Sequence, residues 1–424
     1  MSAVTGTRRS AASRLGLPEL RGHGRFVTGN LIDSVGNGML LPLGLLYFTD
    51  VQGLPPAHVG MAMTVGQAVA LPVTFLAGRL MDRLGPRPVV VAANIVSALG
   101  FTLFLFADRL WQVAAVHVLV QSGINMYFTA QRTLVLHVTE PGQERAWFAF
   151  TGSLRNIGLA AGAAAAAGAL TVFGKGALWW LIAVDAATYL LAALCFATLA
   201  TKPPEPAGTP PGRQATRTED TRRYLLLVAV NLPYVLAQAA LSVLVALYTT
   251  RALGLPASAA SLLFLVNTVL VSGCSTLVTA HLAPKAPRRA VAVGYLVMAA
   301  ATGAFMLPAL FSPSSPSSSS SLAVTAWVAL VAAITLFSVA EILLGPALSE
   351  LSVTLTPDAA GGFTQGLYQF SWAVGMVAAP ALFTLLLQAG PLLPWGAEAV
   401  ACLIAMAAAP ALKSANRHRR KDPR

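Results

Sequence analysis

The chain has few charged residues for its length. Asp, Glu, Lys and Arg together make up 10% of its 424 residues, whereas a soluble chain carries about 25%. Hydrophobic residues make up 56%, which is more apolar surface than a water-facing fold of this size can bury. This composition excludes an ordinary soluble protein and predicts an integral membrane protein.

Cysteine is also scarce, and sequence motifs of enzymes are lacking. Cys195, Cys274 and Cys402 lie in apolar runs at unrelated spacings, which argues against a disulfide framework and a metal site. The chain has no His-Glu-x-x-His or Gly-x-Ser-x-Gly motif, and "GALTVFGKGA" (168–177) has the wrong spacing for a phosphate-binding loop. We therefore expect neither an enzyme nor an ATP-driven pump, and no metal or cofactor.

The net charge of +12 does not favour nucleic acid as a partner. The basic residues lie in short gaps and in the tails, and they do not form a single stripe with aromatic residues between them. The first 24 residues are polar and rich in arginine and lack the apolar segment of a secretory signal. We interpret them as a cytoplasmic tail.

Long apolar runs dominate the rest of the chain. A helix needs about 20 apolar residues to cross a bilayer. Twelve such runs occur, at 25–50, 57–81, 86–107, 110–136, 146–172, 177–200, 223–250, 257–282, 288–311, 322–354, 361–389 and 391–412. The sequence therefore predicts an all-α protein with twelve transmembrane helices.

Basic residues fix the predicted orientation. If both termini lie on one side, the other side holds only Arg109, Lys175 and Arg251, and the first side holds the remaining basic loops and tails. The excess of Lys and Arg in cytoplasmic loops then places both termini in the cytoplasm. We expect a multi-pass protein of a bacterial cytoplasmic membrane, since the abundant Ala, Gly, Pro and Arg suggest a GC-rich bacterial genome.

An internal repeat divides the chain. "TFLAGRLMDRLGPRPVVV" (74–91) aligns with "TLVTAHLAPKAPRRAVAV" (276–293), with Pro284 in the place of Asp82. Repeats of this kind build transporters whose binding site lies between the two halves. The predicted division is a tail at 1–24, a six-helix half at 25–200, a cytoplasmic linker at 201–223, a second six-helix half at 224–412 and a basic tail at 413–424.

The turn "GRLMDRLGPRP" (78–88) resembles the loop signature of the major facilitator superfamily. The matching residues are Gly78, Asp82, Arg83, Gly85 and Arg87. The resemblance implies two pseudo-symmetric six-helix halves that alternate access to a central site. It also implies a gating role for this turn. The Asp82 carboxylate can pair with Arg83 at the membrane face, or it can lie against a helix N-terminus of the other half, a contact that would hold the cytoplasmic side shut. The alternative is a solvated turn that only fixes the topology.

Other stretches resemble bacterial drug–proton antiporters within that superfamily. "GNGMLLPLGLLYF" (36–48) is similar to their first span, and "FSVAEILLGPALSELSVTLTP" (337–357) is similar to span ten of exporter and peptide-transporter branches. In span five, Gly158 and Gly162 match the exporter pattern, but Ala163 replaces its proline. What remains in span five is a face of small residues that lets helices approach closely.

Charged residues inside spans are costly and usually face the interior of the bundle. Asp33 in span one is a candidate for binding a proton or substrate, or else a carboxylate at the interface paired with Arg25. Glu341 in span ten is a second proton site, an acceptor for a cationic substrate, or a structural hydrogen-bond partner. Arg155 in span five pairs with one of these acids or holds an anionic substrate.

Further residues at plausible cavity depth are polar or aromatic. These cavity candidates are Gln121, Asn125, Arg132, Asn231, Tyr234, Gln238, Asn267, Gln365, Gln369 and Trp372. Arg132 has a second interpretation, in which its long side chain reaches the membrane interface. We expect Asp185 in span six and Glu398 in span twelve to be structural.

Two functions remain open from the sequence. The first is proton-coupled export of small amphiphilic compounds, such as drugs or secondary metabolites. The alternative is proton-coupled uptake of a small metabolite, such as a sugar, an organic acid or a peptide. In both, the energy source is the proton gradient, the partners are a small molecule, protons and the lipid bilayer, and we expect a monomer.

Overall fold

The computed structural model describes residues 15–40, 43–140, 142–200, 214–310, 320–356 and 361–412. These residues form helices joined by short turns, and none of them lies in a β-strand. A helix satisfies its backbone hydrogen bonds within itself, which is what an apolar segment needs inside a bilayer. The predicted all-α architecture is therefore present throughout the described part of the chain.

Twelve helices, numbered α1 to α12 in chain order, correspond to the twelve predicted spans. They are Gly24–Leu40, Pro56–Leu84, Pro86–Phe104, Leu110–Val138, Glu144–Phe173, Ala177–Ala197, Gln214–Ala239, Ala257–His281, Pro287–Leu310, Ser320–Thr354, Gly361–Ala389 and Leu393–Ala408. Within the described residues, ten helical stretches are long and apolar enough to cross a membrane. One of these stretches contains both α5 and α6. Helix α1, with 17 residues, is too short to be counted among the ten. The ten stretches and α1 therefore correspond to twelve helices.

The predicted linker is partly helical. Residues 214–223 form the first turns of α7, because the prolines and glycines of this stretch end at Gly212 and good helix formers follow. The preceding residues, 201–213, lie outside the described part of the chain. So do both tails beyond residues 15 and 412, and most of the serine-rich stretch that we expected to form a flexible loop.

Each half packs around its own apolar core. In the N-terminal half, α1 packs against α5 and α6, and α3 packs against α4 and α6. In the C-terminal half, α9 packs against α10 and α12, and α7 packs against α11 and α12. The halves meet where α2 contacts α11 and where α5 contacts α8 and α10.

The first helix of each half ends in the same way. A π-helical segment, Tyr47–Val51 after α1 and Tyr248–Ala252 after α7, leads into a Gly-Leu-Pro turn. The glycines of the two turns have φ angles of +69° and +65°, in the left-handed region that favours glycine. This shared turn is further evidence of the internal repeat, and it lies outside the two segments that were aligned.

Candidate functional site

The turn between α2 and α3 meets the start of α11 at the end of the bundle that carries the basic turns, which we call the basic end. The backbone N–H of Gly362 donates a hydrogen bond of 2.6 Å to Oδ1 of Asp82. Gly362 is the second residue of α11, where the free amides of a helix N-terminus favour an anion. None of the ion pairs among the described residues joins Asp82 to Arg83, so Asp82 bonds across the two halves.

Two glycines bring the backbones of α2 and α11 together at this point. A Cβ atom on Gly78 would lie 2.1 Å from the carbonyl oxygen of Gly362, and one on Gly362 would lie 1.9 Å from that of Gly78. One turn further along α11, a Cβ atom on Gly366 would lie 2.7 Å from the carbonyl oxygen of Thr74. Side chains are therefore excluded from this contact, and the basic end is closed between α2 and α11.

The other motif residues act within the N-terminal half. Gly85 has a φ angle of +83°, which glycine adopts without steric cost, and it turns the chain from α2 into α3. Arg87 donates a hydrogen bond of 2.6 Å to the carbonyl oxygen of Leu199, just after α6. Arg83 is exposed. Within the motif, Asp82 therefore bonds to the other half, whereas Gly85 and Arg87 shape and hold the turn that carries Asp82.

A second contact between the halves at the basic end is made by Arg145, the second residue of α5. Its guanidinium bonds the Glu350 carboxylate of α10 and donates a hydrogen bond of 2.7 Å to the carbonyl oxygen of Pro284. Pro284 aligns with Asp82 in the repeat. The acceptor in the second copy is the backbone carbonyl of Pro284, whereas the acceptor in the first copy is the Asp82 carboxylate. Our sequence reasoning missed this contact, although Arg145 and Gly362 hold the same place in their helices.

We expect Arg145→Gln to open the basic end. The Arg145 and Glu350 side chains are only 13% and 17% exposed, so removing one partner leaves a poorly solvated charge. A change of about 1.4 kcal/mol alters the ratio of closed to open molecules about tenfold. The measurement is the distance between spin labels at Arg79 and Thr354, two exposed positions at this end, on a background in which the native cysteines are replaced by serine.

The longer distance should gain population in Arg145→Gln and less in Glu350→Gln, which keeps the bond from Arg145 to the Pro284 carbonyl, and the double variant should resemble Arg145→Gln. Arg109→Gln is the matched control, since Arg109 is 72% exposed outside the bundle. Identical distance distributions in all of these variants would show that the contact does not hold the basic end closed.

Asp33 lies inside the N-terminal half, with 6% of its surface exposed. Its Oδ2 atom is 3.4 Å from Nδ2 of Asn37, and Oδ1 of Asn37 accepts a hydrogen bond of 3.0 Å from the Tyr189 hydroxyl. Arg25 instead donates to the carbonyl oxygen of Thr198. The interpretation of Asp33 as an interface carboxylate paired with Arg25 is therefore wrong.

Arg155 lies deep in the bundle and is nevertheless exposed to solvent. It is about 16 Å along α5 from the basic end, at 1.5 Å per residue. Its guanidinium carbon is 4.6 Å from the centre of the Phe128 ring, and it interacts electrostatically with Asp33 and with Tyr234 of the other half. No ion pair among the described residues includes Arg155.

A polar cluster of the C-terminal half lies on the other side of this interior space. Nδ2 of Asn267 donates a hydrogen bond of 2.9 Å to Oε2 of Glu341, and the Gln238 side chain lies beside the same carboxylate and beside Tyr234. The rings of Tyr234 and Trp372 pack edge to face, with 5.7 Å between their centres. These residues were all predicted at cavity depth, and the structure places them together.

Arg132 connects the halves between this cluster and the basic end. Its guanidinium donates a hydrogen bond of 3.1 Å to Oε1 of Gln369 and lies over the Tyr368 ring, 4.7 Å from its centre. Only 9% of Arg132 is exposed, so the interpretation in which its side chain reaches the membrane interface is wrong. Arg132 therefore adds a contact between the halves at a depth between Arg155 and the basic end.

The remaining cavity candidates make hydrogen bonds elsewhere in the bundle. Asn231 accepts a bond of 2.8 Å from the Tyr368 hydroxyl, which joins α7 to α11. Asn125 donates one of 3.3 Å to the carbonyl oxygen of Ala70 in α2. Gln121 lies 3.4 Å from a histidine one turn earlier in α4, and Gln365 donates to the carbonyl oxygen of Ser352 in α10.

Comparisons with known proteins agree with this architecture. The family model of the Major Facilitator Superfamily matches residues 26–326. Among solved structures, the human organic anion transporter TETRAN superposes with a TM-score of 0.66 at 16% identity over 95% of this chain and 100% of that one. The E. coli fucose:proton symporter superposes with a TM-score of 0.68 at 15% identity over 92% and 98%. At these identities the likeness concerns the fold.

Curated relatives align over a shorter part of the chain. An uncharacterized MFS-type transporter of Bacillus subtilis, YhjO, is 27% identical over 48% of this chain and 50% of its own length. The multidrug resistance protein MdtH of Sodalis glossinidius is 29% identical over 26% of this chain and 28% of its own length. The chain thus spans half or less of these relatives. With the family model matched over most of the chain, the motif in the α2–α3 turn and the two six-helix halves, the chain belongs to the Major Facilitator Superfamily.

Proposed function

We propose that this chain is a proton-coupled secondary transporter that exports small amphiphilic compounds by alternating access. The observation that carries the proposal is the solvent-exposed Arg155, which lies between Asp33 of one half and the polar cluster around Glu341 of the other. In transporters built from two such halves, substrates bind at mid-depth between them. Phe128 and Tyr234 lie near Arg155, and Trp372 packs against Tyr234. Small-molecule sites combine such aromatic surface with a few polar anchors.

Asp33 supplies the proton-binding group in this mechanism. A carboxylate held away from water, without a direct cationic partner, is favoured in its neutral form. Arg155 interacts electrostatically with Asp33, so a change of charge at Asp33 changes the electrostatic environment of the proposed substrate site. We propose that proton binding at Asp33 and substrate binding beside Arg155 alternate. Glu341 is proposed as a second polar anchor, held in place by Asn267.

The contacts at the basic end supply the gate. We propose that Asp82 with Gly362, and Arg145 with Glu350, hold the inner side shut while the site faces outward. These contacts break when the halves rock. The excess of basic residues at this end supports a cytoplasmic orientation, and a bacterial cytoplasmic membrane is the proposed location, with the chain acting as a monomer.

The direction of transport is inferred from the partial relatives. The short match to a multidrug resistance protein and the exporter-like first span favour export over uptake. The test is a susceptibility panel in an efflux-deficient bacterium that expresses the chain. We expect raised tolerance to one or more amphiphilic toxic compounds, which is lost when the membrane is treated with a protonophore.

Uptake is the outcome that would replace export. A cell that becomes more sensitive to a toxic metabolite analogue, and accumulates it faster at low external pH, would show inward transport. Unchanged tolerance to every compound, with normal amounts of the protein in the membrane, would contradict export of amphiphilic compounds.

A further inference from the structure

A second carboxylate is buried in the N-terminal half and has no role in the mechanism above. Asp185 lies on α6 with none of its surface exposed. Its Oδ1 atom is 3.4 Å from the Thr188 hydroxyl, and its Oδ2 atom has no hydrogen-bond partner among the described residues. On the α1 side it faces Gly36, where a Cβ atom would lie 2.3 Å from Oδ1. A buried negative charge needs donors or a cation, and Asp185 has very little of either.

The charged groups around Asp185 do not supply a counter-ion. From α1 comes Asp33, another acid, which repels a charge on Asp185. From its own helix comes Tyr189, and α3, which also packs against α6, has no charged residue beyond its first turn. Arg155 of α5 interacts with Asp33 and Tyr189. Asp33 lies about one turn before Gly36 on α1, the helix that Asp185 contacts, so the two acids lie on facing helices.

The two acids also share hydrogen-bonded neighbours. Asn37 contacts the Asp33 carboxylate with its amide nitrogen and accepts the Tyr189 hydroxyl bond with its amide oxygen. Tyr189 lies one turn after Asp185 on α6 and interacts electrostatically with both acids. In a weakly polar interior, two neighbouring carboxylates cannot both be ionised without a large cost. Their protons then belong to the pair and not to either residue alone.

We propose that Asp185 is a second proton-binding residue that forms one coupled pair with Asp33. At neutral pH the pair retains at least one proton, held by Asp185 when Asp33 is ionised beside Arg155. Asp185 is then a positioning residue for the coupling site, because it sets how many protons Asp33 and its surroundings exchange. The role in transport rests on the proposed proton coupling, whereas the proton-binding pair itself does not.

Infrared titration of the full chain in lipid nanodiscs tests the pair without any substrate. The carbonyl stretch of protonated carboxyl groups is followed as the pH is raised, with ¹³C-labelled aspartate in the wild type separating Asp bands from Glu bands. We expect the aspartate signal from the pair to vanish in two steps. Asp185→Asn and Asp33→Asn should each leave a single step, because asparagine keeps the shape of a protonated aspartate and does not titrate.

The control variant is Asp108→Asn, since the Asp108 side chain is 64% exposed outside the bundle; both steps should remain. The proposal is overturned if the labelled wild type shows no protonated aspartate at neutral pH. It is also overturned if Asp185→Asn leaves the titration unchanged, or if the Asp185 proton never titrates. The isotope label gives this answer even if a variant does not fold. A two-step titration in a chain that exports nothing would refute the proposed function and leave the pair standing.

Discussion

Asp33→Asn is expected to abolish proton-coupled transport while leaving the protein folded in the membrane. Asparagine keeps the size of Asp33 and its contact with Asn37 but cannot take up or release a proton, so the carrier is held permanently in the neutral state. We expect the initial rate of proton-driven efflux to fall at least about tenfold, which corresponds to about 1.4 kcal/mol. The measurement uses inside-out vesicles and the compound to which the wild type gives the largest tolerance.

The pH dependence distinguishes a coupling role from a general loss of function. Because proton binding and substrate binding alternate in the proposed mechanism, Asp33→Asn, which mimics the protonated carrier, should also exchange substrate slowly between vesicles that contain it on both sides. Exchange by the wild type should slow as the pH is lowered, whereas exchange by Asp33→Asn should not change with pH. Asp108→Asn is the matched control and should match the wild type in both assays. Efflux by Asp33→Asn at the wild-type rate, with the same response to pH, would exclude Asp33 as the coupling residue.

Gly362→Ala is expected to prevent the basic end from closing. The new methyl group would lie 1.9 Å from the carbonyl oxygen of Gly78 and 2.7 Å from Cγ of Asp82. The Gly78 carbonyl is a rigid obstacle because it is backbone, and the Asp82 carboxylate has to leave its hydrogen bond with Gly362 to make room. Well-packed contacts usually lose about 1–3 kcal/mol when overfilled, and this overlap forces α2 and α11 apart. We expect transport to cease and the spin-label distance between positions 79 and 354 to lengthen.

The matched control is Gly152→Ala on α5, where an added Cβ atom meets nothing within 4 Å. This variant makes the same chemical change in a membrane helix and should keep both the wild-type distance and the transport rate. Gly78→Ala should behave like Gly362→Ala, since it fills the same contact from the other side. Normal closure in Gly362→Ala would mean that the two backbones do not need to touch for the inner side to shut.

Much of the fold was predictable because the bilayer permits few solutions. Apolar runs long enough to cross it must be helices, and the basic turns and the repeat then indicate two similar halves. Asp33, Arg155 and Glu341 could be singled out for the same reason, since charges within spans are rare and are expected to face the interior. The prediction of twelve helices in two halves, with the fold of the superfamily, is confirmed.

The partners of these residues could not be predicted, because they come from helices far away in sequence. Arg132 was given a membrane-interface alternative from its depth alone, and only the packing of α4 against α11 shows that it bonds Gln369. Asp185 was taken as structural because span six usually packs away from the cavity. Its proximity to Asp33 depends on the close approach of α1 and α6 at Gly36, and the resemblance of the stretch that begins at Gly36 does not indicate which helix packs there.

The bond between Arg145 and the carbonyl oxygen of Pro284 affects which positions of the gate tolerate substitution. The bond accepted by the Asp82 carboxylate can be lost by a single codon change, whereas a backbone carbonyl is present whatever residue is encoded at position 284. Random mutagenesis should therefore recover inactive variants at position 82 and at position 145, but tolerate many residues at position 284. A substitution at position 82 or 145 removes a side chain that makes a gate contact, whereas a substitution at position 284 leaves the accepting backbone carbonyl in place.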